Sequence, residues 1–192
     1  NNTIKNIFNE AKLIDDFAII SPVNSDTNHP NYKTSNKIFS ENIIEADSVD
    51  GFAMLINKQK FNENNFFDEK FFLFLENDDL CKRIKTKGNK IYVIKNAFID
   101  HKGFSSSTKI DKEKLEYLRN WHWMWSKFYF NKKHFGFLQA FISVLPSFLS
   151  SMLKVLIFTL LFNKKKRKIY QFRFYGILNS IMGKTSWYRI KD

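Results

Sequence analysis

Three carboxylates, Glu76, Asp78 and Asp79, crowd around a single amide, Asn77, in the middle of the chain. They follow an aromatic run, Phe66-Phe67-Asp68-Glu69-Lys70-Phe71-Phe72-Leu73-Phe74-Leu75, and precede Leu80-Cys81-Lys82-Arg83. Two roles suit acids in this setting. In the first turn of a helix they face the positive end of the macrodipole and cap free amides. At the mouth of a pocket, a carboxylate can take a proton from a reacting hydroxyl beside a bound divalent metal. Both remain open from these residues alone. Cys81 is the only cysteine, which excludes an intramolecular disulfide framework and a Cys-type zinc site and fits a reducing compartment.

The flanking segments must position these groups. Thr3 reads as a helix N-cap for Ile4, Ile7, Phe8 and Ala11. Phe17-Ala18-Ile19-Ile20 reads as a buried strand closed by Ser21-Pro22, and the polar stretch from Asn24 to Glu41 as a surface loop. Residues 45–56 are strand-like but interrupted by Gly51, the sign of a bulge or of backbone approaching a ligand. The aromatic run drives toward a core. The helix after the acids buries Leu80 and Ile84 and ends at Gly88, suited to a left-handed cap. Ile91–Ile94 and Ala97–His101 read as strands, followed by the hydroxyl-rich loop of Lys102 to Ser107. Helices alternating with buried strands give an α/β class.

Near Asp111 the character changes. Residues 112–131 are helical and aromatic, with Trp121, Trp123 and Trp125 in series. Phe135 to Phe162 is almost wholly apolar, with Lys154 its only charge. It is long enough to span a bilayer, which takes about 20 residues. Pro146 and its neighbouring serines favour two shorter helices, lying at an interface or packed as a hairpin. Lys164-Lys165-Lys166-Arg167-Lys168 follows at once, a device for anionic headgroups on a cytoplasmic membrane face. Two regions are therefore expected, 1–110 and a membrane-associated 111–192. The net charge of +12 attracts polyanions: nucleic acid, anionic lipid or a phosphorylated small molecule. Asn1-Asn2-Thr3 reads as the interior of a longer protein.

In series, three blocks resemble the C-terminal half of a family 2 glycosyltransferase of the rhamnosyltransferase-like branch. They are Val49-Asp50-Gly51-Phe52-Ala53-Met54-Leu55; Phe67-Asp68-Glu69-Lys70-Phe71-Phe72 with Glu76-Asn77-Asp78-Asp79-Leu80-Cys81-Lys82-Arg83 and Gly88; and Ala97 through His101 with Ser105-Ser106. The resemblance implies a partial GT-A fold, with a C-terminal helical membrane-associated region. It implies an inverting, metal-dependent transfer of sugar from a nucleotide-diphosphate sugar to a glycan or lipid-linked acceptor at the cytoplasmic face of the membrane. The cofactor would be Mn or Mg with His101 as a ligand. Glu76 and Asp79 would be the essential acids and Asp78 the substitute base, while Asp50, Gly51, Asn77 and Arg83 would bind substrate. Two departures stand out. Asn77 occupies the place where the family usually has Asp, and an amide cannot accept a proton at neutral pH. No D-x-D segment precedes the first helix, so the nucleotide-binding half would lie upstream and this chain alone would be inactive. A catalytically inactive membrane-associated scaffold is the alternative. A basic nucleic-acid-binding module fits less well, because the cationic excess sits beside an apolar helix, and no nucleic acid partner is expected.

Overall fold

The computed structural model describes residues 2–26, 28–34, 37–61, 66–101 and 111–190. The described residues form a mixed α/β structure with five α-helices and a small mixed sheet. The chain packs as two compact units, Asn1–Asp68 with Glu76–Ser105, and Glu69–Leu75 with Ser106–Asp192.

The first unit holds α1 (Thr3–Ala11), β1 (Ile19–Asn24), β2 (Tyr32–Lys33), β3 (Lys37–Ile38), β4 (Ile43–Ala46), β5 (Ser48–Val49), β6 (Leu55–Ile56), α2 (Glu76–Thr86) and β7 (Ile91–Ile99). Five strands form one sheet in the order β3-β4-β7-β1-β6, and β2 pairs with β5 in a separate ribbon. β1 and β7 run parallel at its centre, and their alternate side chains enter two cores. Ile19, Ile91 and Val93 pack with Leu80, Cys81 and Ile84 of α2. Ile20, Tyr92 and Ile94 pack with Ile14 and, from α1, Ile7 and Ala11. A strand covered on both faces must be apolar at every position, which explains its unbroken hydrophobic run.

Local differences from the sequence expectations have physical causes. Thr3 is the first helical residue rather than the cap, and its hydroxyl donates to the Phe98 carbonyl at 2.6 Å. β1 continues through Ser21-Pro22 to Asn24. β6 covers it only at Ile19 and Ile20, and its register against β7 shifts between Pro22 and Val23. An irregular, half-paired stretch accommodates the missing proline N–H. The polar stretch after Asn24 contributes β2 and β3 instead of being wholly loop. Ile91 to Ile99 is one strand, not two. Gly88 has φ +78°, as expected of a left-handed cap. The aromatic run is not uniformly buried, since Phe71 is in a core while Phe67 and Phe72 stay exposed.

The second unit is built on α3 (Lys112–Phe135), α4 (Phe137–Leu160) and α5 (Lys164–Ile181). Met124 and Phe128 of α3, Ala140 and Val144 of α4 and Ile177 of α5 form its core. Gly136, at φ +85°, turns the chain between α3 and α4. α4 runs unbroken through Pro146, correcting the two short helices expected there. Packing against α3 and α5 outweighs the single hydrogen bond that proline removes. Only Ala140, Val144 and Ser151 of α4 are buried, and Leu138, Ile142, Leu149, Leu153, Leu156 and Leu160 face outward. Among the described residues this one helix is long and apolar enough to cross a membrane. Its 24 residues rise about 36 Å at 1.5 Å each, against about 30 Å of hydrocarbon. Lys154 lies 4.8 Å from the centre of the Tyr170 ring on α5, so the lone charge faces a neighbouring helix. The basic cluster forms the first turns of α5. Asn163 caps it by accepting from the Lys166 amide, and Lys165 pairs with Glu116 of α3 at 3.1 Å.

A buried histidine fastens the C-terminal tail. His122 on α3 donates from Nε2 to the Tyr188 carbonyl at 2.8 Å, which leaves Nδ1 to accept from the Ser186 hydroxyl at 2.9 Å. Its pKa is lowered from 6.5 to about 4, chiefly by burial; the bond to Tyr188 opposes the fall and the Arg189 charge adds to it. The unfolded chain therefore takes up this proton near 6.5, while the folded chain resists until about 4. This contribution to stability is whole above the unfolded value and is lost as pH falls through that window. We expect about 3 kcal/mol to disappear across it. Thermal melts across this pH range check the loss, and a His122→Asn chain is expected to show a flatter profile.

Candidate functional site

The acids occupy the first turn of α2, as one of the two roles requires. The chain enters that turn through two consecutive left-handed residues, Phe74 (φ 69°) and Leu75 (φ 67°). Non-glycine residues in this region cost about 1–3 kcal/mol each and collect where side chains must be aimed. Directly after them, Glu76 holds one carboxylate oxygen, Oε2, buried without a hydrogen-bond partner among the described residues.

The three acids have different surroundings. Asp79 is fully buried and closes onto Arg83 Nε at 2.9 Å, while Arg83 Nη2 donates to the Phe66 carbonyl at 2.5 Å. This i,i+4 pair holds α2 against the residue that opens the aromatic run, so both members have structural partners. Asp78 is partly exposed and pairs with Lys33 of β2 at 3.2 Å. Asn77 turns inward and donates from Nδ2 to the Val49 carbonyl at 3.1 Å. The Cys81 thiol reaches that same oxygen at 3.9 Å. Burial pushes this thiol up to about 11, which keeps it protonated.

Val49 leads directly into Asp50 and Gly51. Gly51 lies in the turn between β5 and β6, not inside a strand as expected. A Cβ added there would meet Asn77 Cβ at 3.6 Å, an ordinary contact, so neither φ nor space demands glycine. Asp50 donates its amide to the Asn31 carbonyl at 2.8 Å. By area the residue is exposed, yet neighbouring atoms crowd its carboxyl on one side. That desolvation raises its pKa, the Asp78 charge raises it further, and Lys33 and His101 oppose the rise. Next in sequence, Phe52 stacks flat on the His101 ring, with centroids 4.5 Å apart and planes within 3°.

All three sequence blocks therefore contribute to one surface of the first unit. Asp50 and Phe52 come from the first, Asn77 and Asp78 from the second, and His101 from the third. Gly103 through Ser107, including Ser105-Ser106, lie outside the described residues. Lys33 and Phe52 were not singled out from sequence. Lys33 sits in a polar stretch without periodicity, and only the two-residue ribbon pairing it with Ser48 brings it to Asp78. Among the described residues no three His, Cys, Asp or Glu side chains converge to hold a metal. His101 is stacked on the Phe52 ring. Two neighbouring carboxylates, a lysine and a flat ring pair suit a polyhydroxylated ligand: the acids and lysine address hydroxyls and the rings offer an apolar face.

The role of Asn77 gives a direct test. A carboxylate at position 77 would lose the donor and face the Val49 carbonyl with a second acceptor. Asn77→Asp is expected to cost about 1–3 kcal/mol, read by denaturant titration of the purified chain. An unchanged midpoint would remove Asn77 from this contact.

Comparison of the chain with known protein families, with curated proteins and with solved structures finds no match.

Proposed function

We propose that this chain is the acceptor-side part of a membrane-associated glycosyltransferase of the GT-A type. It would move a sugar from a nucleotide-diphosphate sugar to a hydroxyl of a glycan or lipid-linked acceptor at the cytoplasmic membrane surface. One observation carries the proposal: the three blocks quoted for the family resemblance meet around Asp50, Asp78 and His101. Asp78 is assigned the proton-accepting role. It is partly exposed, lies beside Asp50 and is steadied by Lys33, so a ligand hydroxyl can reach it. Asp79 is buried on Arg83 and is assigned to structure. Glu76, with its partnerless buried oxygen, is assigned to hold an acceptor hydroxyl. The apolar α4 and the basic start of α5 support membrane association.

The test is release of nucleoside diphosphate from a panel of nucleotide sugars by the detergent-solubilised protein in its native length. Asp78→Asn is expected to lower turnover about a hundredfold or more, the usual size of a general-base contribution. Glu76→Gln is expected to raise KM more than it lowers kcat. Release that survives both changes would sink the site assignment. A folded, membrane-bound protein that releases nothing from any donor would favour the inactive scaffold, a reading that the inward-turned Asn77 amide also supports.

A further inference from the structure

The helical unit contains a cavity of about 550 Å³ that the transferase reading does not use. Four cationic residues line it, Lys70, Lys132, Lys184 and Arg189, against one acid, Glu69. The Arg189 guanidinium lies over the Phe72 ring, 3.4 Å from its centroid. Its Nη1 donates to the Ser186 and Tyr188 carbonyls at 2.6 and 2.7 Å. The group is thus fixed in place while Nε and Nη2 make no hydrogen bond among the described residues. Part of the lining is aromatic. Trp125 and Tyr129 stack with centroids 5.0 Å apart, and the Trp125 indole is held by the Lys184 carbonyl at 3.0 Å.

We propose that this cavity binds a phosphomonoester, with the phosphate between Arg189 and Lys184 and the carbon portion against Trp125 and Tyr129. A preset guanidinium fork flanked by lysines matches phosphate oxygens. A stacked indole and phenol provide the apolar contact that a lone phosphate does not need. Lys132 also lies 5.9 Å from the Phe137 ring, the first residue of α4. The cationic rim therefore adjoins the end of the apolar helix, at headgroup depth if α4 enters a bilayer. The proposal concerns the helical unit alone and stands whether or not the transferase reading does.

The test uses the full chain and sedimentation with phosphatidylcholine vesicles carrying about one-tenth phosphatidic acid, or the same share of phosphatidylserine. Tighter binding to phosphatidic acid is expected, and Lys184→Gln should weaken it about tenfold with an unchanged melting temperature. Arg189→Gln should weaken it at least as much. Lys164→Gln, outside the cavity, should weaken both lipids equally. Competition by millimolar glycerol phosphate would identify a soluble phosphomonoester as sufficient, and its failure to compete would identify the lipid-held form. Equal binding to the two anionic lipids, or unchanged phosphatidic acid binding in both cavity variants, would overturn the proposal.

Discussion

Gly176→Ala is expected to destabilise the helical unit by about 3 kcal/mol or more, the upper end of what an overpacked contact costs. A Cβ at this position would sit 2.3 Å from the Trp121 carbonyl oxygen and 3.3 Å from Met124 Cβ. The obstacle is backbone, so no rotamer change relieves it, and α5 must move away from α3. That separation would open the core around Met124 and Ile177. It would also strain the bond from the Ser180 hydroxyl to the Trp125 carbonyl, 3.0 Å long. Alanine favours a helix interior over glycine by about 1 kcal/mol, too little to compensate. Thermal melts in detergent followed by far-UV circular dichroism measure the effect. A melting temperature equal to that of the unaltered chain would contradict the close α3–α5 approach.

Arg83→Ala should have a comparable effect on the first unit, about 3–5 kcal/mol, because it removes the guanidinium that pairs with the fully buried carboxylate of Asp79. Asp79→Asn should cost less, since it removes the buried charge and leaves Arg83 partly exposed and bonded to the Phe66 carbonyl. The order of the two distinguishes a structural pair from a catalytic one. If Asp79→Asn abolished turnover in a protein of unaltered stability, the assignment of Asp79 to structure would fail. The double change Arg83→Met with Asp79→Leu is expected to recover much of the loss, as apolar replacements of buried pairs often do. Denaturant midpoints provide the comparison.

The parts of this molecule that follow local rules were legible in the sequence. The apolar runs of β1 and β7, the acids in the first turn of α2 and the glycine cap at Gly88 each depend on nearby residues. The parts that depend on distant partners were not. Nothing around Pro146 announces that α3 and α5 will support an unbroken α4, and nothing around Lys33 announces Asp78. Asp79 and Asp78 are adjacent acids in the same helical turn, yet one is buried on Arg83 and the other faces Lys33 in solvent. Residue type identified the group, and tertiary position divided its roles.

Cys81 is the only thiol of the chain and belongs to the first unit, whereas all four tryptophans, Trp121, Trp123, Trp125 and Trp187, belong to the second. A buried thiol held protonated reacts with alkylating reagents at neutral pH only when its surroundings open. The rate of labelling at Cys81 therefore clocks excursions of the sheet-containing unit, and indole fluorescence registers only events among the helices. One unmodified protein carries two separately addressable probes, so the order in which its halves come apart is measurable without introducing a dye or a mutation.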